Sequence, residues 1–64
     1  MNQNLIDVAK RLRNAGNETI LAILALEKEG DTFKPTIVEL KLQVGDCFAA
    51  VKKIEVALGL QLDA

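Results

Sequence analysis

The stretch TIVELKLQVGDCFAAVKKIEVAL, residues 36–58, decides how this chain is read. It follows Pro35 and opens on Thr36-Ile37-Val38-Glu39, a full capping box, in which the threonine hydroxyl and the glutamate carboxylate each accept from a backbone N–H of the first turn. Ile37 and Leu40, with Val44 or Leu42, supply the buried face of a short helix, which Gly45 is expected to end. Asp46 then caps a longer helix with Phe48, Val51, Ile54 and Leu58 at helical spacing and Gly59 as its stop. Short helix, tight turn and longer helix make a helix-turn-helix-like corner. Val44 tucks toward the core, Gly45 can take a positive φ, and the second helix presents its N-terminal end.

Working outward, a first helix is expected at residues 4–14, capped by Asn4 with Asp7 as an imperfect capping-box partner and stopped by Gly16. Leu5, Val8, Ala9 and Leu12 form its apolar stripe. Asn17 caps a second helix at 18–29, whose run Ile20 to Leu26 is apolar around most of its circumference. Such a helix belongs at the centre of a domain, packed on several sides. Gly30 ends it, and Asp31 to Lys34 form a turn. The glycines at 16, 30, 45 and 59 thus read as the stops of four helices.

The expectation is an all-α fold, one compact four-helix domain over residues 1–64, with helices at 4–14, 18–29, 36–43 and 47–58. Its core should hold Leu5, Val8, Leu12, Ile20, Ile23, Leu24, Ile37, Leu40, Phe48, Val51 and Ile54. The alternating tail Leu60-Gln61-Leu62 reads as a stub of strand or a segment folded back on the core.

A chain of 64 residues buries only about 60% of the surface its unfolded form exposes, so its core is small. Half of its residues are hydrophobic, which offsets this in part. Cys47 is the single cysteine, so no internal disulfide is possible, and with no secretory segment a cytoplasmic location is expected. The longest apolar run is seven residues, far short of the roughly twenty that a membrane span needs. With no histidine and one cysteine, neither a zinc cage nor a general base of near-neutral pKa is on offer. An enzyme, a cofactor and a metal site are therefore not expected. Cys47 has no histidine or second cysteine beside it in the sequence and reads as packing.

Glu29-Gly30, Lys34-Pro35-Thr36-Ile37-Val38, Leu42-Gln43-Val44-Gly45, Val51 and Ile54 resemble the N-terminal DNA-binding region of KfrA-type plasmid proteins. More loosely, Thr36 to Leu40 through Glu55 resembles the helix-turn-helix of winged-helix repressors. The resemblance implies a transcriptional or plasmid-maintenance regulator, with residues 46–53 facing double-stranded DNA.

The residues themselves leave two functions open. With a net charge of −1, DNA contact would depend on local cations: Lys52 and Lys53 on the last helix, joined by Lys41, Arg11 and Arg13 if the fold gathers them. Ala49 and Ala50 offer no hydrogen bonds to base edges, so phosphate contacts would dominate. The alternative is a protein-interaction module, a small phage- or plasmid-type adaptor or inhibitor acting through an apolar helical surface. Val38, Leu42, Val56, Leu60 and Leu62 are the residues a small core accommodates least, and Val56, Leu60 and Leu62 are the candidate interface of a homo-oligomer or of a complex with another protein. Exposed lysines and arginines on the last helix favour DNA; exposed valines and leucines favour protein.

Overall fold

The computed structural model describes residues 2–62, with side chains through residue 59. Among these residues two long α-helices are joined by a short 3-10 turn. Helix α1 (Gln3–Glu27) has 25 residues, the turn spans Gly30–Phe33, and α2 (Lys34–Leu62) has 29. The two helices pack along each other as a hairpin 49 Å long and 14 by 13 Å across.

The four-helix expectation is thus corrected to two helices. Asn17, expected as a cap, lies inside α1, and the Val44-Gly45-Asp46 corner is uninterrupted α2. The physical reason is a seam. Ala9, Leu12, Gly16, Thr19, Ile23 and Leu26 recur at alternating spacings of three and four along α1. Ile37, Leu40, Val44, Cys47, Val51, Ile54 and Leu58 do the same along α2, and every one of these residues is buried or half-buried. This is the 3.5-residue repeat of a coiled-coil seam, and it runs straight across Gly16 and Gly45. An interior glycine costs a helix about 1 kcal/mol relative to alanine, a small penalty beside burial along a whole seam.

Gly16 has a packing role. A Cβ there would stand 2.9 Å from two ring atoms of Phe48, so the missing side chain is the notch that receives the ring. Gly45 is different, because a Cβ there would meet nothing within 4 Å. Thr19 tolerates a seam position because its hydroxyl donates to the Ala15 carbonyl at 2.8 Å.

The expected caps also shift. Asn2, not Asn4, caps α1, its Oδ1 accepting from the Leu5 N–H at 3.1 Å, while Gln3 Nε2 donates to Asp7 Oδ1 at 3.0 Å. Pro35 sits in the first turn of α2, where its missing N–H costs nothing. No bond of a Thr36–Glu39 box is present among the described residues. The expected stub at Leu60 to Leu62 is the helical end of α2.

Between the helices the Glu29 N–H donates to the Leu26 carbonyl at 3.0 Å, and Gly30 reverses the chain at φ 80°, the one positive φ among the described residues. A Gly30→Ala substitution meets no neighbour, so its whole effect is the left-handed backbone, about 1–2 kcal/mol. Thermal denaturation should therefore show a drop of several degrees, roughly 4–8 °C per kcal/mol in a domain of this size. D-alanine at position 30 of the synthetic chain should show no such drop, and equal melting of the two variants would contradict the turn.

The buried hydrophobic residues among those described are Ala9, Ile23, Ile37, Val51 and Leu58. Ala9 and Leu58 add to the core expected from the sequence. Ile20 and Leu24 were expected in it, and both are exposed.

Candidate interaction surface

A two-helix hairpin hides only the stripe that each helix turns toward the other. The run Ile20 to Leu26 is apolar on most sides, yet α2 covers only part of it: Ile23 is buried, while Leu21 is 59% and Leu24 51% exposed. This segment of α1 is more apolar than a single contact stripe requires. In the hairpin it has a partner on one side.

Helix α2 carries a second and longer apolar stripe. Val38 is 58%, Leu42 66% and Val56 55% exposed, and Gly45 and Ala49 lie open between them. The positions 38, 42, 45, 49, 52 and 56 again alternate by four and three, so they fall on one face over roughly 27 Å of helix. Lys52 occupies the one polar position. Its neighbour Lys53, with Ala49, Lys52 and Val56, borders a broad, open depression. Helix α2 therefore has two heptad faces. One meets α1, and the other has no partner among the described residues. The side chains of Leu60 and Leu62, expected beside Val56, lie outside the described residues.

The five cations expected to form a phosphate-binding patch are divided between the two helices, Arg11 and Arg13 on α1 and Lys41, Lys52 and Lys53 on α2. Arg13 Nη2 donates to Glu55 Oε2 at 3.0 Å, an exposed cross-helix pair contributing about 0–1 kcal/mol. Arg11 lies on α1 beside Asp7, Lys10 and Asn14. Lys41 borders a depression near the turn with Glu27, Asp31 and Lys34, and Lys34 Nζ is 3.5 Å from Asp31 Oδ1. Lys52 and Lys53 are sequence neighbours on α2. The corner that would have aimed a recognition helix lies inside the continuous helix α2.

Comparison with known proteins finds no family model, no curated protein and no solved structure that matches this chain. Among the described residues no cluster of histidine, cysteine or carboxylate side chains has the size to hold a metal, and no helix is long and apolar enough to cross a membrane. Cys47 is half-buried on the seam between Val44 and Val51.

Sequence reasoning placed Val38, Leu42 and Val56 among residues hard to bury, but assigned Leu24 to the core and passed over Leu21. The signal for both was the circumferential apolarity of residues 20–26, which needs partners on several sides. The expected extra helices would have supplied them. With those helices absent, the same residues become surface.

Proposed function

We propose that this chain is a protein-interaction module, a helical hairpin that works by offering apolar helix faces to another polypeptide. The observation that carries this reading is the exposure of Leu21, Leu24, Val38, Leu42 and Val56, each more than half open, beside a seam that fully buries few side chains. Large exposed apolar groups arranged in helical stripes are the anchors of helix-on-helix recognition. The stripe on α2 supplies them at positions 38, 42 and 56, with Gly45 and Ala49 leaving room between for a close approach. The polar N-terminal half of α1, with Lys10, Arg11 and Asn14, would stay in water.

A photoreactive residue at position 49 should form a discrete covalent adduct with a polypeptide in cells that make the protein. The same group at position 11 should form none. Leu42→Asp should remove the position-49 adduct while leaving the helical dichroism of the purified chain intact, since Leu42 makes little use of the seam. Equal labelling from 49 and 11, or labelling from 49 that survives Leu42→Asp, would overturn the reading.

A further inference from the structure

We infer that the partner on the exposed face of α2 is a second copy of this chain, docked antiparallel with α2 against α2. This rests on the interaction reading above and names its occupant.

Three observations carry the inference. The first is area. The chain exposes 4856 Å², whereas a compact monomer of its mass exposes about 4,000 Å². The excess, spread over the whole rod, is of the order of the roughly 800 Å² that each subunit buries in a dimer of standard size, so a rod of this shape has the area to spare for one. The second is Gly45. It stands in mid-helix, where among the described residues no packing neighbour comes within 4 Å of a Cβ, so packing between these residues gives no reason for a glycine there. The close approach of another helix does.

The third is charge. An antiparallel register that sets Gly45 opposite Ala49 of the second copy also sets Val38 opposite Val56 and lays the aliphatic stem of Lys52 against Leu42. On one flank of that stripe the nearest charge of the second copy to Glu39 is Lys53, offset by two residues, about 3 Å along the axis. On the other flank the nearest charge to Lys41 is Glu55, with the same two-residue offset. Each pair is of opposite sign and, by the two-fold symmetry, each occurs twice. Asp46 meets its own copy near the axis, a like-charge contact in this register. A parallel pair would instead stack Lys52 on Lys52. The sequence of the exposed face favours the antiparallel arrangement.

Sedimentation equilibrium of the full chain, from micromolar to millimolar concentration, should show a monomer–dimer equilibrium. Leu42→Asp should leave only monomer. Lys53→Glu, which sets two carboxylates together at both ends of the interface, should weaken the dimer about tenfold. Adding Glu39→Lys to Lys53→Glu should restore wild-type affinity, a result that a merely nonspecific apolar contact would not give. Failure of the double variant to recover, or a trimer or larger species in place of the dimer, would overturn the antiparallel pair. A chain that stays monomeric while its position-49 adduct has the mass of a different protein would overturn self-pairing and leave the interaction reading standing. Absence of any adduct together with a monomer would overturn both.

Discussion

Replacing Val51 with Asp should leave the chain with no cooperative unfolding transition. Val51 is 3% exposed, the most buried hydrophobic side chain among the described residues, and it sits on the seam between Cys47 and Ile54. An ionised carboxylate placed there has to be desolvated, become protonated, or drag the helices apart to reach water, each at a cost of several kcal/mol. Ordinary domains carry roughly 0.05–0.15 kcal/mol of stability per residue, or about 3–10 kcal/mol for a chain of 64. The cost is therefore of the same size as the whole stability. Far-ultraviolet circular dichroism on heating should show a broad, shallow loss of helix in place of a sigmoidal melt. The matched control is Val56→Asp, five residues further along the same helix but on its open face, which should melt as the wild type does when measured as a monomer. A cooperative melt in Val51→Asp, or equal damage from both changes, would contradict the seam.

The second large effect belongs to Gly16. Its notch is filled by the Phe48 ring, so Gly16→Leu should destabilise the hairpin although it replaces a poor helix former with a good one. The helix gains about 1 kcal/mol from the change. Overpacking against an aromatic ring commonly costs about 1–3 kcal/mol, and at a 2.9 Å approach the upper part of that range applies. The expected net loss in urea denaturation is about 1–2 kcal/mol. Truncating the ring as well should rescue it: Gly16→Leu with Phe48→Ala should be more stable than the sum of the two single effects by at least about 1 kcal/mol. Additive effects would mean that the two side chains do not share the space. Were Gly16 a helix stop, the leucine would suffer from its backbone conformation, and no change at Phe48 would relieve it.

These two sites also show what was legible in the sequence. The all-helical class followed from the apolar spacing and from the helix formers around Ile20 to Leu26, and Ile23, Ile37 and Val51 could be placed in the core from that spacing alone. The error lay in reading glycines as punctuation. A glycine in a helical pattern is a stop when the apolar period resets after it and a packing device when the period runs through. Leu12, Gly16, Thr19 and Ile23 keep their alternation of four and three across the glycine, as do Leu40, Val44, Cys47 and Val51 across Gly45. Of the glycines whose conformation is described, only Gly30 turns the chain, and there the seam pauses between Leu26 and Ile37. Thr19 and Cys47 helped to hide the seam, because neither reads as an obvious core residue. The capping residues misled for a related reason: Asn17 and Asp46 are good caps only where a helix begins.

The candidate surface was legible in part. Val38, Leu42 and Val56 were recognisable as apolar residues without an obvious place. Leu21 and Leu24 were not, because the extra helices expected around them would have covered them. The pairing of Arg13 with Glu55 could not be read from the sequence, because it depends on the two helices lying side by side.

The central claim is that the chain is an elongated hairpin, too thin to cover its own apolar side chains, and small-angle X-ray scattering in dilute solution tests it most directly. The hairpin has a Cα radius of gyration of 14.9 Å and a longest dimension of 49 Å. A compact 64-residue domain with those side chains hidden inside would have a radius of gyration of about 11 Å. The account predicts the rod-like value for the monomer, and lateral pairing of two rods can only raise it. A radius near that of the compact domain would contradict the hairpin, and with it the exposed faces on which the proposed interaction depends.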